Sequence, residues 1–260
     1  AVMTYLSMEG PHEEEEARTV RSQIREHGLS EALLESLPRW MGFERRMIEH
    51  LLANPDDHVG AFRKLPTNLQ LMTVHALQSI VFNKSLQRRL ENHMPIAQPV
   101  VGDIVGRLDE KGQLDVNSCV VVQERTLSRI GRNCDLNRLT ITGPLPGSEI
   151  TTSEGKPGKL EQETIDSENL SDVSWHVEAI PRLSTKGTRR GLVAAFNDFS
   201  VETVPKVEAE LLGKRWEKGP SEDDRWHPDG ACLRFRFTLG SGSYATVLLR
   251  EFMKGPLANM

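Results

Sequence analysis

Hydrophobic positions in the first third of the chain recur at helical spacing. Residues 12–28 open with acidic side chains and end at Gly28, which fits a helix that begins with carboxylates and ends at a glycine. Two shorter helices are predicted between Ser30 and Pro55, and a longer helix is predicted to be capped by Thr67. The apolar stripe of that long helix is predicted to be core and consists of Leu69, Met72, Ala76, Leu77, Ile80 and Phe82.

From Pro99 onward the pattern changes to short runs rich in β-branched residues. Residues 99–114 predict a strand, a turn and a second strand, because Gly112 follows a charged pair between two apolar runs. Further strands are predicted at 117–123, 139–147 and 198–204. The polar segment between them, Thr151 to Leu170, is predicted to be an exposed loop or a helix.

The clearest alternation lies at residues 230–239. Apolar side chains occupy every second position and polar ones fall between them, which is typical of a strand with one buried face. The predicted inner face carries Ala231, Leu233, Phe235, Phe237 and Leu239. The predicted outer face carries Cys232, Arg234, Arg236 and Thr238.

A glycine- and serine-rich bend follows this strand and leads into an apolar helix. Gly240 and Gly242 permit a sharp turn, and Tyr244 comes at the start of the helix. Arg250 lies about 9 Å further along the helix axis, among apolar neighbours. We expect it to bind a carboxylate or, alternatively, to lie at the sheet edge and reach water.

Composition narrows the class of protein without naming a function. The 260 residues contain 38% hydrophobic and 27% charged residues, as ordinary globular proteins do. The net charge of −5 excludes a global basic field, so any nucleic-acid contact must come from local clusters. Three scattered cysteines predict neither a disulfide framework nor a zinc site, and with no signal peptide or membrane-spanning run we expect a cytoplasmic protein.

Five short motifs occur in order along the chain: "LQSIVFNKSLQRRL" (77–90), "VVGDIVG" (100–106), "ITGPLPGSE" (141–149), "STKGTRRGL" (184–192) and "LGSGSYATVLLRE" (239–251). Together they resemble the motifs of one family, the TruD family of tRNA pseudouridine synthases. The resemblance covers nearly the whole chain, although Gly240, Pro146 and Lys186 depart from the usual residues.

The resemblance implies an α+β fold in which a mixed or antiparallel catalytic sheet, present in part, carries an inserted α+β domain. The expected domains are 1–19 and 196–260 for the partial catalytic domain and 20–195 for the insertion. Family members convert a specific uridine in tRNA to pseudouridine with an essential aspartate and without metal or organic cofactor. The family's Gly-x-Lys-Asp and Asn-x-x-Gly-x-Gln-Arg-Phe-Gly motifs do not occur in these residues, so we expect a C-terminal portion that is inactive alone.

By resemblance, Arg250 is the candidate partner of the catalytic aspartate, and Tyr244 is the candidate aromatic residue that lines the pocket for a flipped base. Packing of Tyr244 under the sheet is the alternative. The expected partner is tRNA, held through phosphate contacts; solvated surface arginines are the alternative. The candidate RNA-binding residues are Asn83, Arg182, Lys186, Thr188, Arg189, Arg190, Arg234 and Arg236.

Two other functions stay open from the sequence. One is a non-catalytic tRNA-binding protein that retains the same fold. The other is a protein-interaction module without RNA, which the acidic net charge favours.

Overall fold

The computed structural model describes residues 1–10, 13–204, 232–240 and 242–253. These residues form two compact units. The helical unit consists of Ala1–Asn92 and Gly143–Arg189, and the sheet unit consists of His93–Thr142 and the described residues from Arg190 onward.

The elements are numbered along the chain. The α-helices are α1 (Val2–Ser7), α2 (Glu15–His27), α3 (Glu31–Ser36), α4 (Gly42–Ala53), α5 (His58–Arg63), α6 (Thr67–Glu91), α7 (Glu124–Asp135), α8 (Gly155–Ser167) and α9 (Ala245–Met253). The strands are β1 (Ile104–Leu108), β2 (Leu114–Val121), β3 (Leu139–Leu145), β4 (Thr188–Gly191), β5 (Phe196–Val204) and β6 (Cys232–Leu239), and Pro181–Leu183 form a 3₁₀ turn. The predicted α+β class is confirmed.

The first helices form where acids, caps and glycines predict them. Gly28 ends α2 with a φ of 75°, in the left-handed region that glycine tolerates. The Ser30 hydroxyl oxygen accepts a hydrogen bond from the Leu33 N–H over 3.2 Å and so caps α3. The segment from Thr151 to Leu170, predicted as loop or helix, contains α8.

The core of the helical unit includes the first residues of the chain. Leu6 and Ala17 are completely buried in one cluster with Ile48 and Ala61. Residues 1–19 therefore pack with the helices that follow them. The compact units reflect contacts within this chain, and the domain boundaries at 19/20 and 195/196 stay a prediction.

The long helix α6 buries a different face from the one predicted. Met72 is 60% exposed and Ile80 is 42% exposed, so the predicted apolar stripe is wrong as a core assignment, although Phe82 is buried. The predicted Thr67 cap is also wrong, because Pro66 occupies the N-cap position. The buried residues of α6 are Gln70, Gln78, Val81, Phe82, Ser85 and Arg89.

A four-stranded sheet has the order β2-β1-β3-β4, with β3 and β4 passing from one unit into the other. Strand β1 pairs antiparallel with β2 and with β3. The predicted turn between β1 and β2 forms, with Gly112 at a φ of 74°. Helix α7 packs Ile130 and Cys134 into the apolar cluster of β1 and β3, next to Val105 and Ile141.

The strands β5 and β6 form a separate antiparallel ribbon, as the alternation predicts. Opposed residues share a face, so the register places Val201 opposite Phe235 on the apolar face and Glu202 opposite Arg234 on the polar face. Asp198 has a φ of 54° within a bulge of β5. Ala231, assigned to the inner face from the sequence, lies outside the described residues.

Candidate functional site

Glycines build the bend between β6 and α9. Gly242 has a φ of 81°, and the Ser243 N–H donates to the Gly240 carbonyl oxygen over 3.1 Å. The Tyr244 carbonyl oxygen accepts from the Val247 N–H over 3.1 Å, so α9 begins directly after the bend. Tight turn geometry thus fixes where Tyr244 and the helix start relative to the ribbon.

Tyr244 directly precedes α9, and Arg250 lies in the second turn of that helix. Tyr244 is 62% exposed, so it does not pack under the sheet, which was the alternative prediction. Arg250 is half-buried. Within the part of the chain that the structure describes, no carboxylate lies within ion-pair distance of its guanidinium. An arginine that loses hydration in this way is usually compensated by a bidentate acid.

Aromatic rings hold α9 on the ribbon. Phe252 of α9 stacks on Phe199 of β5, with ring centroids 5.1 Å apart and an interplanar angle of 13°, and lies 5.3 Å from the Phe235 ring. Phe196 meets Phe199 edge-on at 5.4 Å. These contacts orient Arg250, yet Phe199 and Phe252 remain 38% and 45% exposed, so this apolar face is only partly covered by the described residues.

Arg190 connects two of the sequence motifs within the sheet unit. Its Nη2 donates to the Gly242 carbonyl oxygen over 3.3 Å, across 52 positions of sequence. The Thr-Arg-Arg motif therefore contacts the glycine-rich bend that precedes Tyr244. Arg190, a predicted RNA-binding residue, thus contacts the backbone two positions before Tyr244.

Arg234 and Arg236 share one acid on the polar face of the ribbon. Glu202 Oε1 lies 3.0 Å from Arg234 Nη1 and 3.8 Å from Arg236 Nη2. Both arginines are exposed, as predicted, and exposed pairs of this kind are worth about 0–1 kcal/mol. Asp198 adds a second carboxylate to this face, where it accepts a hydrogen bond from the Thr238 hydroxyl over 3.0 Å, so the face carries two acids beside its two guanidiniums.

In the helical unit, three motifs meet at Gln78, which is not among the predicted site residues. The Gln78 side-chain amide donates to the Pro146 carbonyl oxygen over 2.8 Å and to Thr185 Oγ1 over 3.2 Å. Helix α6, the Thr-Gly-Pro-Leu turn and the Ser-Thr-Lys-Gly segment therefore meet at one buried side chain.

Two glycines allow the same segments to approach each other closely. A Cβ on Gly147 would lie 1.9 Å from the Gly187 nitrogen, and Gly187 has a φ of 79°. The Ser148 N–H donates to the Thr185 carbonyl oxygen over 3.1 Å, just beyond this contact. These two positions therefore accommodate only glycine, because the facing backbone leaves no room for a Cβ atom.

Arg189 is buried and paired, in contrast to its predicted place on an RNA-facing surface. Its Nη2 lies 2.7 Å from Glu161 Oε1 and its Nη1 lies 3.1 Å from Glu161 Oε2, and it also donates to Ser153 Oγ and the Thr151 carbonyl oxygen. With the residue 5% exposed, its guanidinium is committed to α8 and cannot reach a phosphate without breaking this network.

The other predicted RNA-binding residues of the helical unit are exposed. Arg182 Nη2 donates to Gln70 Oε1 over 2.6 Å, and Lys186 Nζ lies 3.0 Å from Glu149 Oε2. Thr188 and Asn83 are exposed. Within the helical unit, Arg182 and Lys186 are therefore exposed and hydrogen-bonded to other side chains, whereas Arg189 is buried.

The fold and these motifs have close counterparts among known proteins. The family model of tRNA pseudouridine synthase D (TruD) matches residues 1–252. The chain belongs to this family. All five motifs lie within the matched residues.

Individual relatives agree with the family match. A "probable tRNA pseudouridine synthase D" of Methanosarcina mazei is 35% identical over 254 residues, which are 98% of this chain and 54% of that protein. A protein described in the same words from Halobacterium salinarum is 30% identical over 264 residues. The crystal structure of a "putative tRNA pseudouridine synthase D (TruD)" from Methanosarcina mazei matches with a TM-score of 0.81 at 32% identity, over 100% of this chain and 55% of that one.

The chain spans about half the length of the relatives that it matches. Among the helices that the structure describes, none is long and apolar enough to cross a membrane. The described residues contain no group of three or more His, Cys, Asp or Glu side chains placed to hold a metal ion.

Proposed function

We propose that this chain acts in the isomerisation of uridine to pseudouridine in tRNA. The family match over residues 1–252 carries the proposal. In this reaction the N-glycosidic bond breaks, the detached uracil turns, and a carbon–carbon bond rejoins it to the ribose. The base gives up its C5 hydrogen and gains one on nitrogen, so the atoms balance without an oxidant, a reductant or a further substrate.

We assign Arg250 the role of binding and orienting the catalytic aspartate. A guanidinium beside a carboxylate favours the ionised form, which is the form that attacks or removes a proton. The half-buried position of Arg250 on α9 supports this role, as does the lack of an acid beside it in the described residues. Because the family's Gly-x-Lys-Asp motif does not occur in the sequence, the acid is assigned to polypeptide outside these 260 residues.

The exposed apolar face around α9 supports the same assignment. Phe199 and Phe252 stack on each other but remain accessible, and Val201 on the same face of the ribbon is 44% exposed. A face of this kind is normally covered by further structure. Further polypeptide is therefore expected to pack against this unit, and it is the proposed source of the carboxylate.

Tyr244 is proposed to contact the target base. Its ring is exposed at the glycine-rich bend, where an extruded base could stack on it, and enzymes of this type must take the base out of the helical stack. Arg190, which supports the bend through Gly242, is proposed to hold this position. Arg234 and Arg236 are proposed as phosphate contacts on the open face of the ribbon.

A chimera tests the activity and the role of Arg250 together. In the Methanosarcina mazei relative, the matched 254 residues are replaced by this chain, and tritium release from tRNA labelled at uridine C5 is measured. We expect product from the chimera and none from the 260-residue chain alone. Arg250→Ala should lower kcat by about 10²–10³-fold, as loss of a charged group near the reacting centre does. Arg250→Lys should restore only part of it, because lysine lacks the planar fork.

Arg234→Ala is the matched control, since it removes an arginine from the same unit and should affect KM more than kcat. Product from the chain alone would overturn the assignment of the acid to other polypeptide. An Arg250→Ala chimera with full kcat would remove Arg250 from the site. Binding of tRNA without product in every chimera would favour the non-catalytic binding protein.

A further inference from the structure

Helix α7 carries three arginines on one face. Arg125, Arg129 and Arg132 are spaced i, i+4 and i+7, which places them within a sector of roughly 60° around the helix at 3.6 residues per turn. All three residues are exposed. None belongs to the five motifs, and none was a candidate RNA-binding residue from the sequence.

The fold fixes which way this face points. On the opposite side of α7, Ile130 and Cys134 are buried against the β1–β3 sheet, and Leu127 packs beside them. A capping box at the start of the helix joins Gln123 and Thr126 reciprocally. The helix cannot rotate without exposing its apolar side, so the arginines are held outward on a rigid element.

The arginine face is not neutralised within the described parts of the chain. Arg129 and Arg132 have no carboxylate within ion-pair distance there, and the Arg125 Nε–H donates to the neutral Gln123 side chain over 2.9 Å. The two acids of the helix lie at its ends: Glu124 at the first position and Asp135 at the last, where Asp135 accepts a hydrogen bond from the side chain of Gln98. Three adjacent positive charges therefore persist on a protein whose net charge is −5.

We propose that the outward face of α7, defined by Arg125, Arg129 and Arg132, binds the phosphate backbone of RNA. The inference rests on the proposed function, which supplies tRNA as the polyanion. The arginines span about 10 Å along the helix axis, and a nucleic-acid strand advances by about 3.4 Å per phosphate along its own axis, so the row can meet two or three successive phosphates. Guanidinium groups suit this ligand because they bind phosphate oxygens bidentately.

Such a contact positions the RNA without reading its sequence. It supplies affinity through released counterions, so the affinity must fall as salt rises. An acidic protein is the other polyanion that could bind three arginines. The substrate class of the family favours RNA, and the test below separates the two.

The test compares three variants of the whole chain for binding to labelled tRNA at several salt concentrations. The first is R125A/R129A/R132A. The second, R125K/R129K/R132K, keeps the charge of the face. The third, K111A/K156A/K159A, removes the same charge from exposed lysines elsewhere, of which Lys159 has only a weak pair with Glu163 at 4.0 Å.

The alanine variant is expected to bind tRNA roughly 10- to 100-fold more weakly at low salt. The slope of log affinity against log salt concentration should decrease in magnitude by about 2 to 3, because each lost phosphate contact removes about 0.7–0.9 from it. The lysine variant should keep most of the slope and the control variant all of it. Melting temperatures within a few degrees of the wild type would show that α7 still folds, since alanine suits a helix surface.

If the alanine variant matches the control, the α7 proposal is overturned while the proposed function stands. If the lysine variant shows the same reduced salt dependence as the alanine variant, the proposal that the contact depends on charge is overturned. If the wild-type chain shows no salt-dependent tRNA binding, both proposals fail. In that case, binding of an acidic polypeptide that depends on Arg125, Arg129 and Arg132 would identify a protein as the occupant of this face.

Discussion

The guanidinium of Arg190 donates a hydrogen bond to the carbonyl oxygen of Gly242, the glycine that turns the chain between β6 and α9. The bond fixes a bend whose φ of 81° is open to few residues other than glycine. Through it, a residue of one motif supports the start of α9, the helix that carries Arg250. Site geometry therefore depends on a side chain that the sequence suggested only as a phosphate ligand.

Replacing Arg190 by alanine should loosen the bend without unfolding the sheet unit. The lost hydrogen bond to Gly242 is worth about 0.5–1.5 kcal/mol, which is enough to speed local opening severalfold. Hydrogen–deuterium exchange of the peptide covering 242–249 is the measurement. Arg138→Ala, an exposed arginine of the same unit, is the control and should leave that exchange unchanged. Equal exchange in both variants would show that Arg190 does not hold the bend.

The buried Arg189–Glu161 pair should be among the most sensitive positions of the helical unit. Arg189→Met leaves Glu161 with little solvent and without its main partner, so we expect a loss of about 3–5 kcal/mol in the free energy of unfolding. The double variant R189M/E161M should recover much of that loss, because no unpaired charge then remains buried. Urea unfolding measures both.

Lys186→Ala provides the matched control for Arg189. Lys186 pairs with Glu149 at 3.0 Å, but both side chains are exposed, so the expected cost is about 0–1 kcal/mol. If Arg189→Met costs no more than Lys186→Ala, the buried pair is not a significant stabilising contact. The comparison separates internal from surface basic residues within one motif.

The strands and most helices follow from local pattern, whereas burial on α6 does not. Alternation predicts β6, and caps predict α2 and α3, because these signals are contained within a few adjacent residues. The apolar stripe of α6 misleads because the packed face carries Gln70 and Gln78. The Gln78 amide donates to the distant Pro146 carbonyl oxygen, and the Gln70 side-chain oxygen accepts from the distant Arg182. Hydrophobicity alone cannot show a polar side chain satisfied by partners remote in sequence.

Helix α7 was not predicted, although a local signal exists. Leu127, Ile130 and Cys134 are apolar at helical spacing among polar residues, but the run is short and follows a β-branched strand. The site was predictable in part: the bend and α9 form as expected, and Arg190 meets them. The burial of Arg189 could not be foreseen, because its partner Glu161 lies in the segment for which the sequence predicts either an exposed loop or a helix.

Gly147 should tolerate no side chain. An alanine Cβ there would lie 1.9 Å from the backbone nitrogen of Gly187, and backbone atoms cannot rotate away as a side chain can. We expect Gly147→Ala to cost about 1–3 kcal/mol or more, as overpacking does. Gly42→Ala is the control: it lies at the start of α4 with no heavy atom within 4 Å of the new Cβ, so stability should be unchanged or slightly higher. If the two variants have the same melting temperature, the close approach of the segments around Gly147 and Gly187 is contradicted.

Asp57 should make part of the stability of the helical unit dependent on acid pH. Its Oδ1 accepts the Gly60 N–H over 2.7 Å and its Oδ2 lies 2.9 Å from His50 Nε2. The hydrogen bond from Gly60 and then the one from His50 lower the pKa of Asp57 below its ordinary value of 3.8. Because the folded pKa is the lower one, the contribution is complete above the ordinary value and is lost as pH falls through the folded pKa.

Asp57→Asn tests this, since asparagine can still cap α5 but does not titrate in this range. Between about pH 5 and pH 2, the melting temperature of the wild type should fall more steeply than that of Asp57→Asn. Asp56→Asn, which removes the same charge from the neighbouring exposed residue, should follow the wild type. Should Asp57→Asn and the wild type instead lose stability in parallel, the Gly60 and His50 contacts would not be coupled to folding in this way.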